Sequence, residues 1–106
     1  MHIDSGNMIL LRKVQSLDAV KTPETFTERE LTRALRDALI DEQNAIIKYE
    51  AIVDASTDDK VKKVVQDIAD EERVHVGELQ ELLRVLLPDE EEFLDDGTKE
   101  VKKDIG

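Results

Sequence analysis

"ADEERVHVGEL", residues 69–79, decides the fold. The apolar residues on either side of it recur at helical spacing. That spacing, carried through the stretch, lands on Glu72 and His75 where leucine or valine would be expected. A carboxylate and an imidazole on the apolar stripe of a helix are costly unless something satisfies them.

Working outward, the helix that holds this stretch is predicted from about Asp58 to Leu87, with Pro88 ending it. Its stripe is Val61, Val65, Ile68, Glu72, His75, Leu79, Leu82 and Leu86. Upstream, "STDD" at 56–59 reads as a turn followed by a new helix start. Ser56 or Thr57 is the expected cap, and Asp58 and Asp59 suit the positive end of the helix dipole.

Before that turn a first helix is predicted from about Glu28 to Ala55. Thr27 followed by Glu30 is a capping-box signature, with Phe26 placed for a hydrophobic staple. The stripe is Leu31, Leu35, Ala38, Glu42, Ala45, Tyr49 and Ile52, widened by Leu39, Ile46 and Val53. Each helix would be roughly 42–45 Å long at 1.5 Å per residue. The two form an antiparallel hairpin (residues 27–95 as a unit). Residues 1–26 are expected as an N-terminal extension, irregular or a short element, with His2 an untethered side chain. Residues 96–106 are expected as a mobile charged tail. One hairpin cannot cover two continuous apolar stripes, so a second copy is the economical partner. The fold class is all-α: a two-helix hairpin that dimerises into a four-helix bundle.

Glu42, Glu72 and His75 are the polar exceptions on the stripes. Glu42 lies fifteen residues before Thr57 and Glu72 fifteen after, so the hairpin brings them to one level. His75 follows one turn beyond Glu72 on the same face. Two hairpins would supply four carboxylates and two imidazoles. That is the donor set of bundle proteins with a dinuclear carboxylate centre, one Glu from each of two helices and Glu-x-x-His from each of the others. Four carboxylates neutralise two divalent cations, and the nitrogens favour iron or manganese over magnesium or calcium. The competing reading is a buried polar cluster that fixes helix register. It is weakened by the absence of Arg or Lys from either stripe. Tyr49, two turns past Glu42, reads either as core packing or as a hydrogen-bond partner of a ligand carboxylate. Glu71 and Glu78 flank the second stripe as solvated charges or as steps on an ion path.

Composition narrows the partners. The chain has 106 residues, 26 of them acidic and 15 basic, for a formal charge of −11. Phosphate-rich partners, nucleic acid and anionic membrane alike, would be repelled, whereas cations are attracted. With no cysteine, the chain holds no disulfide, no thiolate zinc site and no rubredoxin-type iron. Met8–Leu11 is too short for a membrane span or a signal-peptide core, and a cytoplasmic location is expected.

"DEQNAIIKYEAIVDAS" with "TDDKVKKVVQDIADEERVHVGELQELLR" resembles the half-size ferritin-like proteins called encapsulated ferritins and, more distantly, half of a rubrerythrin. The resemblance spans roughly residues 30–95. It implies a ferroxidase centre at a homodimer interface, with Glu42, Glu72 and His75 as iron ligands and Tyr49 close by. It further implies dimers assembled into a ring, oxidation of Fe(II) by dioxygen or peroxide, and storage of the mineral by an encapsulin shell. Manganese or zinc would fit the same ligands. The sequence departs from the family at three places. Asn44 stands where a carboxylate would join Asp41 in an accessory metal site, and Lys48 replaces an aromatic residue. The ending "TKEVKKDIG" does not look like a targeting peptide. Besides the ferroxidase, two functions stay open: a rubrerythrin-like peroxidase with an external electron donor, and a non-catalytic helical dimer stapled by metal.

Overall fold

The computed structural model describes residues 25–106, and all three elements in that range are helices: α1 (Glu28–Ala55), α2 (Asp59–Leu86) and α3 (Glu90–Ile105). The extension expected at 1–26, with His2, lies outside the described residues except for Thr25 and Phe26. α1 and α2 pack along their lengths as an antiparallel hairpin.

α1 starts where its capping box places it. The Thr27 hydroxyl accepts from the Glu30 N–H at 3.1 Å, and the Thr27 N–H donates to the Glu30 carboxylate at 3.0 Å. Two orphan donors are thereby satisfied. The far end of α1 has no basic residue in its last turn. Lys62 of α2 supplies the missing cation, donating from Nζ to the Val53 carbonyl at 3.0 Å. Positive charge at a helix C-terminus is favourable, so this contact also ties the two ends of the turn together.

The cap of α2 is neither Ser56 nor Thr57 but Asp58, whose carboxylate accepts from Lys60 N–H at 2.8 Å and Val61 N–H at 3.2 Å. A charged acceptor facing the positive helix end outcompetes a hydroxyl. Ser56 instead ends α1, and its Oγ accepts from the Asp58 N–H at 3.1 Å.

Ala69 and Leu83 are the fully buried hydrophobic residues among those described, and both lie on α2. They are two heptads apart, so one line of α2 is sealed within the hairpin. The predicted stripe runs beside that line. Leu82 is 48% exposed and Leu86 43%, and on α1 Leu31 and Ile52 are also exposed. The exposed members of the stripe therefore open a face beside the hairpin's own seam, while Glu42 and Glu72 are half-buried between the two.

α3 includes most of the stretch expected as a charged tail. Residues 96–105 continue a helix that begins at Glu90. Its charges are ordered along the axis, with Glu90, Glu91 and Glu92 in the first turn and Lys102 and Lys103 in the last, as the dipole favours. The first turn is pinned to the hairpin. Arg36 grips Glu90 with two hydrogen bonds, of 2.9 and 3.1 Å, and Glu90 is buried there. Arg84 reaches Glu91 at 3.0 Å while holding Glu81 at 2.7 and 2.8 Å. The hydrogen bond from Arg84 keeps the Glu81 carboxyl below its ordinary value, and both guanidinium groups are held above theirs by their partners. Past this turn Phe93, Leu94, Val101 and Ile105 are exposed.

Candidate metal centre

The matched levels of Glu42 and Glu72 are realised. One ligating atom from each of Glu42, Glu72 and His75 lies within 4.8 Å of the others, the one such cluster among the described residues. His75 Nδ1 is 3.4 Å from Glu72 Oε2 and 3.6 Å from Glu42 Oε2. Two ligands on one ion at about 2.1 Å each are at most about 4.2 Å apart, so both distances fit a shared cation.

Electrostatic satisfaction separates this cluster from an ordinary polar core. Glu42 Oε2 is buried and has no hydrogen-bond partner. At 3.6 Å the imidazole is beyond hydrogen-bond reach of it. The Glu72 contact, at 3.4 Å, is long. A single Nδ1 proton could serve one carboxylate at a time. Among the described residues no lysine or arginine pairs with Glu42 or Glu72. A buried Glu42 oxygen without a hydrogen-bond partner, beside a second carboxylate and an imidazole, is the donor set a divalent cation would complete. The residues present therefore fit the metal that the spacing implies.

The cluster is open on one side. His75 has 49% of its side chain exposed, against 26% for Glu42 and 19% for Glu72. Together Glu42 and His75 floor an open groove of about 280 Å³ whose walls are Ala38, Glu78, Leu79 and Leu82. The open side is the same unpaired face that carries Leu82 and Leu86.

The remaining expected residues sort as follows. Tyr49 is half-buried on α1, and its hydroxyl has no hydrogen-bond partner among the described residues, so no bond links it to a ligand carboxylate. Asp41 and Asn44 are exposed, and Asp41 stands outside the cluster. Glu71 is exposed and borders no part of the groove, whereas Glu78 lines it. The Arg36–Glu90 pair, which orients α3 beside this end of the hairpin, went unread in the sequence. Its partners are 54 positions apart and share no local pattern.

Comparison with known proteins follows the same lines. The rubrerythrin family profile matches residues 6–104. The chain is 39% identical over 87 residues to a ferritin-like–encapsulin shell fusion protein of Pyrococcus furiosus, covering 82% of this chain and 25% of that protein. It is 35% identical over 68 residues to an encapsulin nanocompartment cargo protein of Myxococcus xanthus, covering 64% of this chain and 52% of that one. The chain thus spans about a quarter and about half of the lengths of these curated relatives. Among solved structures, the encapsulated ferritin domain from Pyrococcus furiosus superposes with a TM-score of 0.75 at 39% identity, over 79% of this chain and 86% of that one.

Proposed function

The chain belongs to the rubrerythrin family, and from that membership we propose that it is a ferroxidase subunit whose centre is completed by a second copy of itself. Two hairpins meet on the exposed stripe. Each contributes Glu42, Glu72 and His75, and the combined four carboxylates and two imidazoles hold two iron ions, with manganese or zinc as substitutes. The observation that carries this reading is the buried Glu42 Oε2, without a hydrogen-bond partner, clustered within 4.8 Å of ligating atoms of Glu72 and His75.

Fe(II) is the substrate. Two Fe(II) ions give one electron each to dioxygen, which takes up two protons and leaves as hydrogen peroxide, with two Fe(III) as product. The carboxylates favour this change because they stabilise the higher charge more than the lower. The Nδ1 of His75 adds a neutral donor that fixes where the ion sits without adding negative charge. The apolar walls at Ala38, Leu79 and Leu82 limit water around the carboxylates and so strengthen their field. Names of the relatives associate them with encapsulin shells. For this chain we infer the same setting, an iron-oxidising cargo or shell-linked domain inside a cytoplasmic compartment.

Anaerobic Fe(II) titration followed by mixing with oxygenated buffer tests the reading. Wild type is expected to bind one Fe(II) per chain and to oxidise it without added reductant. His75→Ala should oxidise Fe(II) at least about ten-fold more slowly while keeping some metal, since the carboxylates remain. Turnover that requires an external reductant and peroxide would favour the peroxidase. Metal binding without oxidation would leave a stapled dimer.

A further inference from the structure

Glu78 lies between two surfaces. On one side it walls the groove that ends at Glu42 and His75. On the other it lines a shallow outer depression with Val74, Gly77 and Glu81. Leu82 is the other residue common to both. At 100° per residue Glu78 sits roughly 80° around α2 from the centre of the exposed stripe. A copy docked on that stripe would leave Glu78 at the edge of its footprint, open to solvent.

The charges around it single Glu78 out. Glu81, its neighbour in the outer depression, is held by Arg84 at 2.7 Å. Glu72 faces His75, and Asp70 is paired with Arg73 at 3.6 Å. Glu78 is exposed, and no hydrogen bond or ion pair engages it among the described residues. Besides Glu42, His75 and Glu78 itself, the lining of the groove is apolar, so Glu78 is the one carboxylate common to the outer depression and the groove that holds Glu42.

We propose that Glu78 is the positioning residue that captures a divalent cation at the outer face of α2 and passes it into the groove of Glu42 and His75. The proposal rests on the reading of Glu42, Glu72 and His75 as ligands. Glu78 holds the ion in transit and is not part of the final ligand set. Removing its charge therefore slows entry and exit together and leaves equilibrium affinity unchanged.

Stopped-flow absorption of Co(II) binding under anaerobic conditions tests it without any catalytic readout. Glu78→Gln is expected to slow association about five-fold, in the range that local electrostatic guidance provides. Its dissociation constant should match wild type, and Glu78→Asp should restore most of the rate. Glu71→Gln removes the same charge from a nearby exposed position that borders neither surface, and its rate should match wild type. Equal slowing in Glu71→Gln would overturn the proposal by assigning the effect to net charge. A lost affinity in Glu78→Gln would overturn it by making Glu78 a ligand. An unchanged rate would overturn the relay alone, provided Glu42→Gln abolishes the Co(II) signal. A signal undiminished in Glu42→Gln would overturn the ligand reading and the relay with it.

Discussion

The carboxylate of Glu42 is the residue on which structure and function pull apart. Its Oε2 is buried and has no hydrogen-bond partner, with the Glu72 carboxylate in the same small cluster. Desolvation and like-charge proximity both act against the folded state. Glu42→Gln keeps the volume, removes the charge and adds a donor that either neighbour can accept. The metal-free protein should therefore melt higher at neutral pH, by about 1 kcal/mol or ~4 °C at this chain length. The stabilisation that wild type gains on adding Co(II) should vanish in the variant. Thermal melts in chelator and with metal measure both effects. A lower metal-free melting temperature with the metal response intact would mean that Glu42 belongs to a satisfied polar network. The convergence of these three residues was legible in the sequence because helical spacing and hairpin level are local arithmetic. What that arithmetic could not give was the hydrogen bonding of Tyr49 or the isolation of Glu78, which depend on how neighbouring side chains settle.

At the scale of the elements, α1 and α2 fall where their sequence signals put them because those signals act within a few residues. The capping box at Thr27, the acidic start near Asp58 and the stop at Pro88 each work locally. α3 was not read as a helix for the same reason. "DEEEFLDDGTKEVKK" is so charged, with Gly97 at its middle, that composition suggested a solvated tail. The ordering of its charges, acidic first and basic last, was the available signal. Its anchor, Arg36–Glu90, is a contact between distant positions that no local pattern announces. Arg36→Gln would strand a buried carboxylate in the first turn of α3. It should cost about 1–2 kcal/mol, between the values for exposed and fully buried pairs, because Arg36 is itself half-exposed. Amide exchange should rise along α3 and stay unchanged at the α1–α2 turn. A double-mutant cycle with Glu90→Gln checks the coupling, and additive effects would show that the pair does not hold α3 in place.

For the molecule as a whole, the cluster of Glu42, Glu72 and His75 opens beside an exposed apolar stripe. If two copies close over that face, metal binds the pair and not the single chain, and mass action links the two equilibria. Adding Co(II) at micromolar protein should shift the scattering mass from one chain toward two or more, and chelator should reverse the shift. One ion bound per chain with no change in mass would show that the centre needs no second copy. No helix among the described residues is long and apolar enough to cross a membrane.

Ala69 and Leu83 are the whole of the fully buried apolar interior described for the single chain. If a second copy covers the exposed stripe, the single chain opens more readily than the pair, and proteases reach what opens. The supply of paired copies in a cell would then depend on how often new chains meet, and would rise faster than in proportion to the rate at which they are made. The same fragility would be protective, because an unpaired copy with an open carboxylate cluster would be the copy degraded first.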